Sequence, residues 1–276
     1  MALRRTVLIT GCSDGGLGAA LAVAFHNKGL RVFATARNLA KAKSVKEAGI
    51  ETLQLDVTSA ESIKACVAQV SELTGGTLDI LVNNAGRDYM MPMLDVNLEE
   101  MSRLFQTNLS SIIAVSQAFF PVLRNSAHTP AIVNNTSVNS VIPMPFAAAY
   151  NASKAAASMM TRTMRLELAM FGIKVIELKT GAVESNINLF DETDQNRRLP
   201  PNSPYSAARD RIEDAFRGVG VKEGDMPTAV WAESVVTQVT KQNPPNEVWK
   251  GERWMEKEFK KINGLDAVEK IVTREL

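Results

Sequence analysis

Short apolar runs alternate with longer segments of helical periodicity over the first two thirds of the chain. The runs are nearly continuous in hydrophobicity, which is typical of strands covered on both faces. They predict strands at 6–11, 31–36, 51–57, 78–84, 131–135 and 173–178. The intervening periodicity predicts helices at 18–28, 39–48 and 62–73. Gly29 and Gly49 follow the first two helices, as glycine commonly does just past a helix C-terminus.

This alternation predicts a fold of the α/β class, a doubly wound parallel sheet in a three-layer αβα arrangement. No change of composition is typical of an interdomain linker, so residues 1–276 are expected to form a single domain. Residues 184–225, with the sequence LPPNSP at 199–204, are predicted to be a loop inserted in it. Residues 244–276 are predicted to be a charged C-terminal extension, either a surface helix or an appendage.

Composition excludes several classes of function. The chain has 31 Lys and Arg against 30 Asp and Glu, without the one-sided excess that nucleic-acid or polybasic membrane binding requires. Two cysteines and two histidines build neither a disulfide framework nor a zinc cluster, so no metal is predicted. Because no apolar run approaches the roughly 20 residues that span a bilayer, and Gly11 interrupts the N-terminal one, we expect a cytoplasmic protein without an integral membrane segment.

The balanced charge hides two opposite extremes. Between Leu104 and Ser153 the only fully charged residue is Arg124, whereas the last 31 residues contain 14. The charge-poor stretch contains many Asn, Ser and Gln residues, so it is not a membrane span. It is predicted to be the buried centre of the domain and the place to look for a site.

The first strand leads into a glycine-rich turn, TGCSDGGLG at 10–18, and then into a helix. Glycines there allow a tight turn and let backbone N–H groups approach a diphosphate at the helix N-terminus. A purely structural βα turn has the same pattern, so this motif by itself is a weak signal.

The turn resembles the TGxxxGxG motif of the short-chain dehydrogenase/reductase family, with one extra residue, and its glycines are Gly11, Gly16 and Gly18. Further motifs occur in the family's order: Asp56-Val57, the sequence NNAG at 83–86, and the set Asn108, Ser137, Tyr150 and Lys154. The resemblance covers about residues 5–190. It implies a Rossmann-type, NADP-binding catalytic domain that acts on a small-molecule carbonyl or alcohol.

The resemblance also implies which residues contact the cofactor. They lie in the turn, at strand ends and on the helix that carries the tyrosine: Gly11, Ser13, Gly16, Leu17, Gly18, Thr35, Arg37, Asp56, Val57, Asn83, Ala85, Gly86, Tyr150, Lys154, Gly181, Val183 and Ser185. The family usually has Pro-Gly and then Thr after the sixth strand, where this chain has Thr180-Gly181 and Ser185. Serine keeps the hydroxyl, while loss of the proline is expected to loosen the loop.

The window after the second strand indicates which nicotinamide is bound. NAD-binding folds place an acid there to hold the ribose 2′-OH, but residues 35–38 read Thr-Ala-Arg-Asn. Arg37 can pair bidentately with a 2′-phosphate, which a carboxylate would repel. We therefore predict NADP(H), with a solvated helix-start arginine as the alternative.

Tyr150 and Lys154 are four residues apart and would share one helix face. A tyrosine pKa near neutrality needs a shift of about 3 units, or roughly 4 kcal/mol. An ammonium at about 4 Å supplies about that much at an effective dielectric near 20. We therefore expect Lys154 to lower the pKa of Tyr150, because no carboxylate lies nearby in the sequence. A helix-start tyrosine beside a solvated lysine is the alternative.

The family's mechanism assigns a role to each group. Tyr150 donates a proton to the developing alkoxide, Ser137 holds the same oxygen, Lys154 also reaches the nicotinamide ribose, and Asn108 supports a proton relay. An ordinary helix-face amide is the alternative for Asn108. The resemblance further implies a homodimer or homotetramer, paired through the helices around 100–122 and 150–170.

The substrate side is less specific. Met90, Met91, Met93, Met144 and Phe146 suit a bulky apolar ligand, or some of them belong to the core. The stretch LPPNSPY at 199–205 is similar to the substrate loop of hydroxysteroid and acyl-dihydroxyacetone-phosphate reductase-like members, which implies a lipid, steroid or polyketide. A non-redox isomerase or cyclase on the same fold and an NADP-binding regulatory module are the alternatives to a carbonyl reductase.

Overall fold

A computed structural model describes residues 4–185, 198–216 and 225–251. Seven parallel strands form one sheet in the order β3-β2-β1-β4-β5-β6-β7. Their bounds are β1 Thr6–Ile9, β2 Arg31–Ala36, β3 Glu51–Gln54, β4 Ile80–Asn83, β5 Ala131–Asn135, β6 Lys174–Thr180 and β7 Glu247–Lys250. The strand order reverses between β1 and β4, so their carboxyl ends form the crevice in which doubly wound sheets bind ligands.

Helices cover both faces of this sheet. Their bounds are α1 Leu17–Asn27, α2 Lys43–Glu47, α3 Ala60–Thr74, α4 Leu98–Phe105, α5 Ser111–Arg124, α6 Ala148–Leu168, α7 Arg209–Phe216 and α8 Thr228–Val239. One buried apolar cluster packs α1 and α8 on the sheet, with Phe25 and Trp231 among its largest side chains. A second packs α3 and α5 on the opposite face, around Phe33 and Phe119. The expected three-layer α/β fold is confirmed.

The predicted strands and helices are found, with shorter bounds in several cases. The segment 39–48 is a 3₁₀ turn at Leu39–Lys41 followed by the short helix α2, rather than one helix. The strand predicted at 51–57 ends at Gln54, since the chain already turns at Asp56, whose backbone N–H donates to the Ser62 hydroxyl oxygen at 2.9 Å. Periodicity did not identify α8, because Trp231, Ala232, Val235, Val236 and Val239 give it a broad buried face.

The expectation for the C-terminal region is wrong at its start. Residues Glu247–Lys250 are not an appendage but the edge strand β7, paired in parallel with β6. The backbone N–H of Gly181 donates to the Lys250 carbonyl at 2.8 Å, which joins the strand to the loop after β6. Four residues give too short a pattern to identify a strand from the sequence. Trp254 and the other residues after 251 lie outside the described part of the chain.

The other predicted segments are only partly covered. Within the loop predicted at 184–225, residues 186–197 and 217–224 lie outside the described residues, whereas 198–216 contain a 3₁₀ turn and α7. No helix in the described ranges is long and apolar enough to cross a membrane.

Candidate active site

Four polar residues form a hydrogen-bonded ladder across the carboxyl ends of β1, β4, β5 and β6. Asn84 donates through Nδ2 to the Thr10 carbonyl at 2.9 Å and accepts at Oδ1 from Asn135 Nδ2, also at 2.9 Å. The Thr180 hydroxyl donates to Asn135 Oδ1 at 2.6 Å. We call Thr10, Asn84, Asn135 and Thr180 the strand-end ladder. It fixes the spacing of the four loops that leave this edge.

The glycine-rich turn packs against the strand-end ladder. A Cβ on Gly18 would lie 2.4 Å from the Gly11 carbonyl oxygen and 2.6 Å from Asn84 Nδ2, so α1 can start this close to β1 only with glycine at 18. Ser13 is exposed in the turn, whereas the Cys12 side chain is fully buried. Among residues 12–15 of the turn, Cys12 is therefore directed into the core, whereas Ser13 and Gly15 are exposed.

Asp14 attaches the turn to the segment after β2. Its carboxylate accepts hydrogen bonds from the Lys43 and Ser44 backbone N–H groups and from the Ser44 hydroxyl, and these bonds hold the pKa of Asp14 below its usual value. The Cys12 N–H donates to the Thr35 carbonyl at 2.7 Å from the same side. The turn and the end of β2 therefore form one connected wall.

Arg37 and Asp56 lie near each other at the end of this wall. Arg37 is exposed, and Thr35 is fully buried, donating to the Ile9 carbonyl at 3.0 Å. Burial acts to raise the pKa of Asp56, but hydrogen bonds from Thr58 and the Arg37 guanidinium outweigh it and leave that pKa lowered. Val57, beside Asp56, is buried. The structure thus brings the predicted cofactor contacts Arg37, Asp56 and Val57 together, and the Arg37 side chain is exposed among them.

Ser137, Tyr150 and Lys154 converge on the end of β5. Ser137 follows β5 and starts the 3₁₀ turn Val138–Ser140, and its hydroxyl lies 3.4 Å from the Thr180 carbonyl. Tyr150 is half-buried in the first turn of α6, within hydrogen-bonding reach of Ser137. Lys154 is 7% exposed, and its Nζ donates to the Asn135 carbonyl at 3.1 Å.

The ionisation of this pair differs from the sequence-based expectation. Burial raises the pKa of Tyr150 to about 12, the Ser137 hydrogen bond lowers it in part, and the carboxylate of Asp88 raises it further. Burial also lowers the pKa of Lys154 to about 8, and its Nζ lies 5.8 Å from the centre of the Tyr150 ring. The expected lowering of the tyrosine pKa is wrong for the protein alone, because desolvation and the carboxylate of Asp88, from a distant part of the sequence, outweigh the Ser137 hydrogen bond.

Asn108 holds the chain that follows the NNAG sequence. It is 1% exposed in a π-helical turn at Gln106–Ser110, between α4 and α5. Its Oδ1 accepts from the Arg87 N–H and its Nδ2 donates to the Arg87 carbonyl, both at 2.9 Å, with a second bond to Ser153 Oγ at 3.1 Å. A Cβ on the adjoining Gly86 would lie 3.7 Å from Lys154 Nζ. Asn108 therefore positions residues 86–87 beside Lys154.

Asn83 and Ala85, at the end of β4, make hydrogen bonds in different directions. The buried Asn83 side chain donates to Asn134 Oδ1 at 2.9 Å and Ser116 Oγ at 3.1 Å, so it faces the helix layer rather than the crevice. The Ala85 N–H donates to the Thr10 hydroxyl at 2.9 Å. The Asn83 side chain therefore has a structural role. Its residue type and its place in the NNAG sequence did not distinguish this role from contact with the cofactor.

The loop after β6 is held although it lacks the family's proline. Thr180, in place of that proline, donates to Asn135, and Gly181 is bonded to Lys250. Val183 is buried and forms an isolated bridge with Met226, whose carbonyl also accepts from Glu184 N–H at 3.1 Å. Ser185 is half-buried at the end of the described segment. The expected loosening is therefore offset by hydrogen bonds.

A third apolar cluster lies against Tyr150. Its buried members come from the loop after β4, from α4, α6 and α7, and from the segment near 199: Tyr89, Met91, Leu104, Ala149, Leu199, Ile212 and Phe216. Met90 and Phe146 pack on it, and Phe146 has a backbone φ of 61°, which is rare for an aromatic residue. Met93 and Met144 are exposed, at 75% and 38%, and lie outside the cluster.

Three residues that matter to the site were not among the predicted ones. Asn135 and Asn84 join the strand ends, and Asp88 acts on Tyr150. Amide residues directly after apolar strands were a visible signal for the first two. No signal in the sequence brings Asp88 close to Tyr150, since 62 positions separate them and only the fold joins them.

Comparison with known proteins assigns the family. Residues 5–196 match the sequence model of the short chain dehydrogenase family. A short-chain dehydrogenase/reductase of Pestalotiopsis microspora is 44% identical over 98% of this chain and 97% of its own length. The NADPH-dependent 1-acyldihydroxyacetone phosphate reductase of Schizosaccharomyces pombe is 40% identical over 77% of this chain and 71% of its own. The chain belongs to the short-chain dehydrogenase family, as the motifs predicted.

Structural similarity extends over the whole chain. The crystal structure of a short-chain dehydrogenase from Streptomyces avermitilis matches with a TM-score of 0.78 at 25% identity, covering 99% of this chain and 98% of that one.

Replacing Asn135 by alanine is expected to lower the free energy of unfolding by about 2–4 kcal/mol, because Asn84 Oδ1 loses its donor and the Thr180 hydroxyl loses its acceptor. Urea unfolding measures the change. The matched control is Asn125→Ala, where an exposed side chain makes one bond to the Gly76 carbonyl, and it should change stability by less than about 0.5 kcal/mol. Equal losses in the two variants would contradict the bridging role of Asn135.

Proposed function

We propose that this protein is an NADPH-dependent oxidoreductase that reduces a ketone or aldehyde of a bulky apolar substrate, or oxidises the corresponding secondary alcohol. The observation that carries the proposal is the convergence of Ser137, Tyr150 and Lys154 at the end of β5, next to the glycine-rich turn of β1. The family supports the reaction class, and the NADPH dependence given for the Schizosaccharomyces pombe relative supports the cofactor.

The residues of the crevice fit a nicotinamide dinucleotide phosphate. The Gly18 contact leaves no room for a side chain at the start of α1, so backbone N–H groups there can approach a diphosphate. Arg37 would pair with a 2′-phosphate, with Asp56 and Val57 beside the adenine. Lys154 would hold the nicotinamide ribose, and Gly181, Val183 and Ser185 the carboxamide. When bound, the cofactor supplies a hydride to the carbonyl carbon or accepts one from the alcohol.

Tyr150 and Ser137 would handle the substrate oxygen. Tyr150 donates its proton as charge develops on that oxygen, and the Ser137 hydroxyl donates a second hydrogen bond to it. Lys154 supplies a positive charge in a buried setting where it is weakly screened. Asn108 contributes by holding residues 86–87 beside Lys154, and its side chain bonds support this positioning role. The resemblance to the family adds that Asn108 supports a proton relay through water and Lys154.

The ionisation of Tyr150 favours reduction over oxidation. With a pKa of about 12 the phenol is protonated at neutral pH and is ready to donate. Alcohol oxidation needs the phenolate as base, and forming it at pH 7 costs roughly 7 kcal/mol at that pKa. A positively charged nicotinamide lowers this cost in the oxidising direction but is not present in the reducing one.

The apolar cluster beside Tyr150 supports a substrate with a hydrophobic body. Phe146 and Phe216 stack edge to face at 6.4 Å on this side, and Met90 and Met91 offer adaptable surface. A lipid, steroid or polyketide carbonyl fits such surroundings. The reductase relative that acts on an acyldihydroxyacetone phosphate is consistent with the lipid option.

Two other activities make different predictions in one assay. A carbonyl reductase consumes NADPH stoichiometrically with product, whereas an isomerase or cyclase on this fold forms product with no net change in cofactor. A regulatory module binds NADPH and turns over no carbonyl. A panel of carbonyls and alcohols, run with both NADPH and NADP⁺, separates the three.

A homodimer or homotetramer is also proposed, through the outer faces of α5 and α6. Met159 and Leu166 on α6, and Met170 in the 3₁₀ turn that follows it, are 63%, 79% and 81% exposed. A cytoplasmic location is proposed from the cysteines, since Cys12 and Cys66 are both free and buried.

Replacement of Tyr150 by phenylalanine is expected to reduce kcat at least about a thousandfold, because the proton donor is lost and the ring is kept. NADPH binding, followed by fluorescence titration, should change by less than about twofold, since the hydroxyl contributes little uniform binding. Retention of a tenth or more of the activity would contradict the assigned role.

Arg37→Asp is expected to weaken NADPH binding about a hundredfold, since a guanidinium–phosphate pair is replaced by like-charge repulsion. Binding of NADH should change by less than about threefold, because it lacks the 2′-phosphate. The control is Arg103→Asp, a replacement of an exposed arginine that pairs with Glu100 on α4, away from this wall. A similar loss for both nucleotides would reject the 2′-phosphate assignment.

The two reaction directions are expected to respond differently to pH. Alcohol oxidation should rise with pH by up to about tenfold per unit, because the phenolate fraction grows until the Tyr150 pKa is passed. Carbonyl reduction should stay level and then fall above about pH 8, as Lys154 loses its charge while Tyr150 remains protonated. Initial rates at saturating cofactor measure both profiles. An oxidation rate independent of pH would contradict the high tyrosine pKa.

A further inference from the structure

A buried ion pair on β6 lies behind the candidate active site. Lys179 and Glu177 are both 0% exposed, and the Lys179 ammonium contacts Glu177 Oε1 directly. The Thr136 hydroxyl donates to the same carboxylate oxygen at 2.9 Å, and Arg162 Nε lies 3.8 Å from the other oxygen. Burying two charges is costly, so the pair is weak as a stabilising device by itself.

The remaining contacts of Lys179 join two elements of the site. Its Nζ donates to the Ser140 hydroxyl at 3.1 Å and to the Ser158 hydroxyl at 2.9 Å, and it lies 5.3 Å from the Trp249 ring. Ser140 ends the 3₁₀ turn that Ser137 begins. Ser158 is on α6, one turn after Lys154 and two after Tyr150. One ammonium therefore bonds both the element that carries Ser137 and the helix that carries Tyr150.

A hydrogen bond between two amide side chains also joins the two elements. Asn139 Nδ2 donates to Asn151 Oδ1 at 2.9 Å, on the half-buried outer side of the same turn. Lys179 joins the same two elements from the buried side through Ser140 and Ser158, and the Trp249 ring of β7 lies against its ammonium. Ser137 and Tyr150 must address the same substrate oxygen, so their separation depends on how these elements are held.

We propose that Lys179, paired with Glu177, is a positioning residue that sets the distance between Ser137 and Tyr150 through its bonds to Ser140 and Ser158. The proposal rests on the proposed function, in which these two hydroxyls act on one oxygen. In this role Lys179 contacts neither the substrate nor the cofactor. Its contribution is to the geometry of groups that do, where displacement by about an ångström can cost up to a hundredfold in rate.

The test is a double-mutant cycle between Ser140→Ala and the pair of changes Lys179→Met with Glu177→Gln. The pair is changed together because Lys179→Met alone leaves a buried, unpartnered carboxylate and risks misfolding. Ser140→Ala in the wild-type background should lower kcat about tenfold with little change in KM for NADPH. In the K179M/E177Q background the same substitution should have no further effect. Ser140→Thr, which keeps the hydroxyl, should restore the rate.

The matched control is Ser234→Ala, which removes a half-buried hydroxyl on α8 that donates to the Trp231 carbonyl at 2.8 Å, away from the site. It should leave kcat unchanged in both backgrounds. An equal effect of Ser140→Ala in the two backgrounds, or no effect in either, would overturn the proposal, because Lys179 would then not be the partner through which Ser140 acts.

A second measurement does not depend on turnover. The chain has three tyrosines, so ring-labelled tyrosine gives a resolved NMR signal for Tyr150, assigned with Tyr150→Phe. Ser140→Ala should shift this signal in the wild-type background and not in the K179M/E177Q one, while Tyr89 and Tyr205 stay in place. If no carbonyl is turned over, the proposed function fails, whereas an unmoved Tyr150 signal rejects the role of Lys179.

Discussion

The candidate site depends on one asparagine at the end of β5. Asn135 bonds Asn84 on one side and Thr180 on the other, and its own carbonyl accepts from Lys154. Parallel strands end at a common edge, but their loops leave in independent directions unless something ties them. The Asn135 side chain supplies that tie across β4, β5 and β6, while its backbone fixes the ammonium. The crevice, the glycine-rich turn and the reactive side chains thereby share one frame.

Burial decides the electrostatics of this frame. In a buried site that excludes water, the interaction between two charges is weakly screened. A single ammonium would therefore act strongly on a tyrosine there. The same dryness, however, disfavours the charged form of both groups, which raises the pKa of Tyr150 to about 12 and lowers that of Lys154 to about 8. In the protein alone, desolvation is the largest cause of both pKa shifts. This arrangement suits a proton donor better than a base.

The charge-poor stretch is not isolated from charge in space. Asp88 comes from the loop after β4, and the pair Glu177 and Lys179 from β6, all outside residues 104–153. The opposite charges of the ion pair lie in contact and give little net field, while the bonds of Lys179 to Ser140 and Ser158 position those elements. The carboxylate of Asp88 instead raises the pKa of Tyr150. Neutral sequence neighbours therefore did not guarantee a neutral site.

The sequence by itself determined the alternation of strands and helices, the glycine-rich turn and the family. It also showed an arginine instead of an acid at residue 37. Each of these features is local in the chain. The sequence did not determine β7, since four residues carry too little pattern and their strand character depends on pairing with β6. Nor did it determine the direction of the tyrosine pKa shift, the Lys179 contacts or the inward orientation of Asn83. Those follow from which distant residues meet and how much water they exclude, and only the packed tertiary structure decides both.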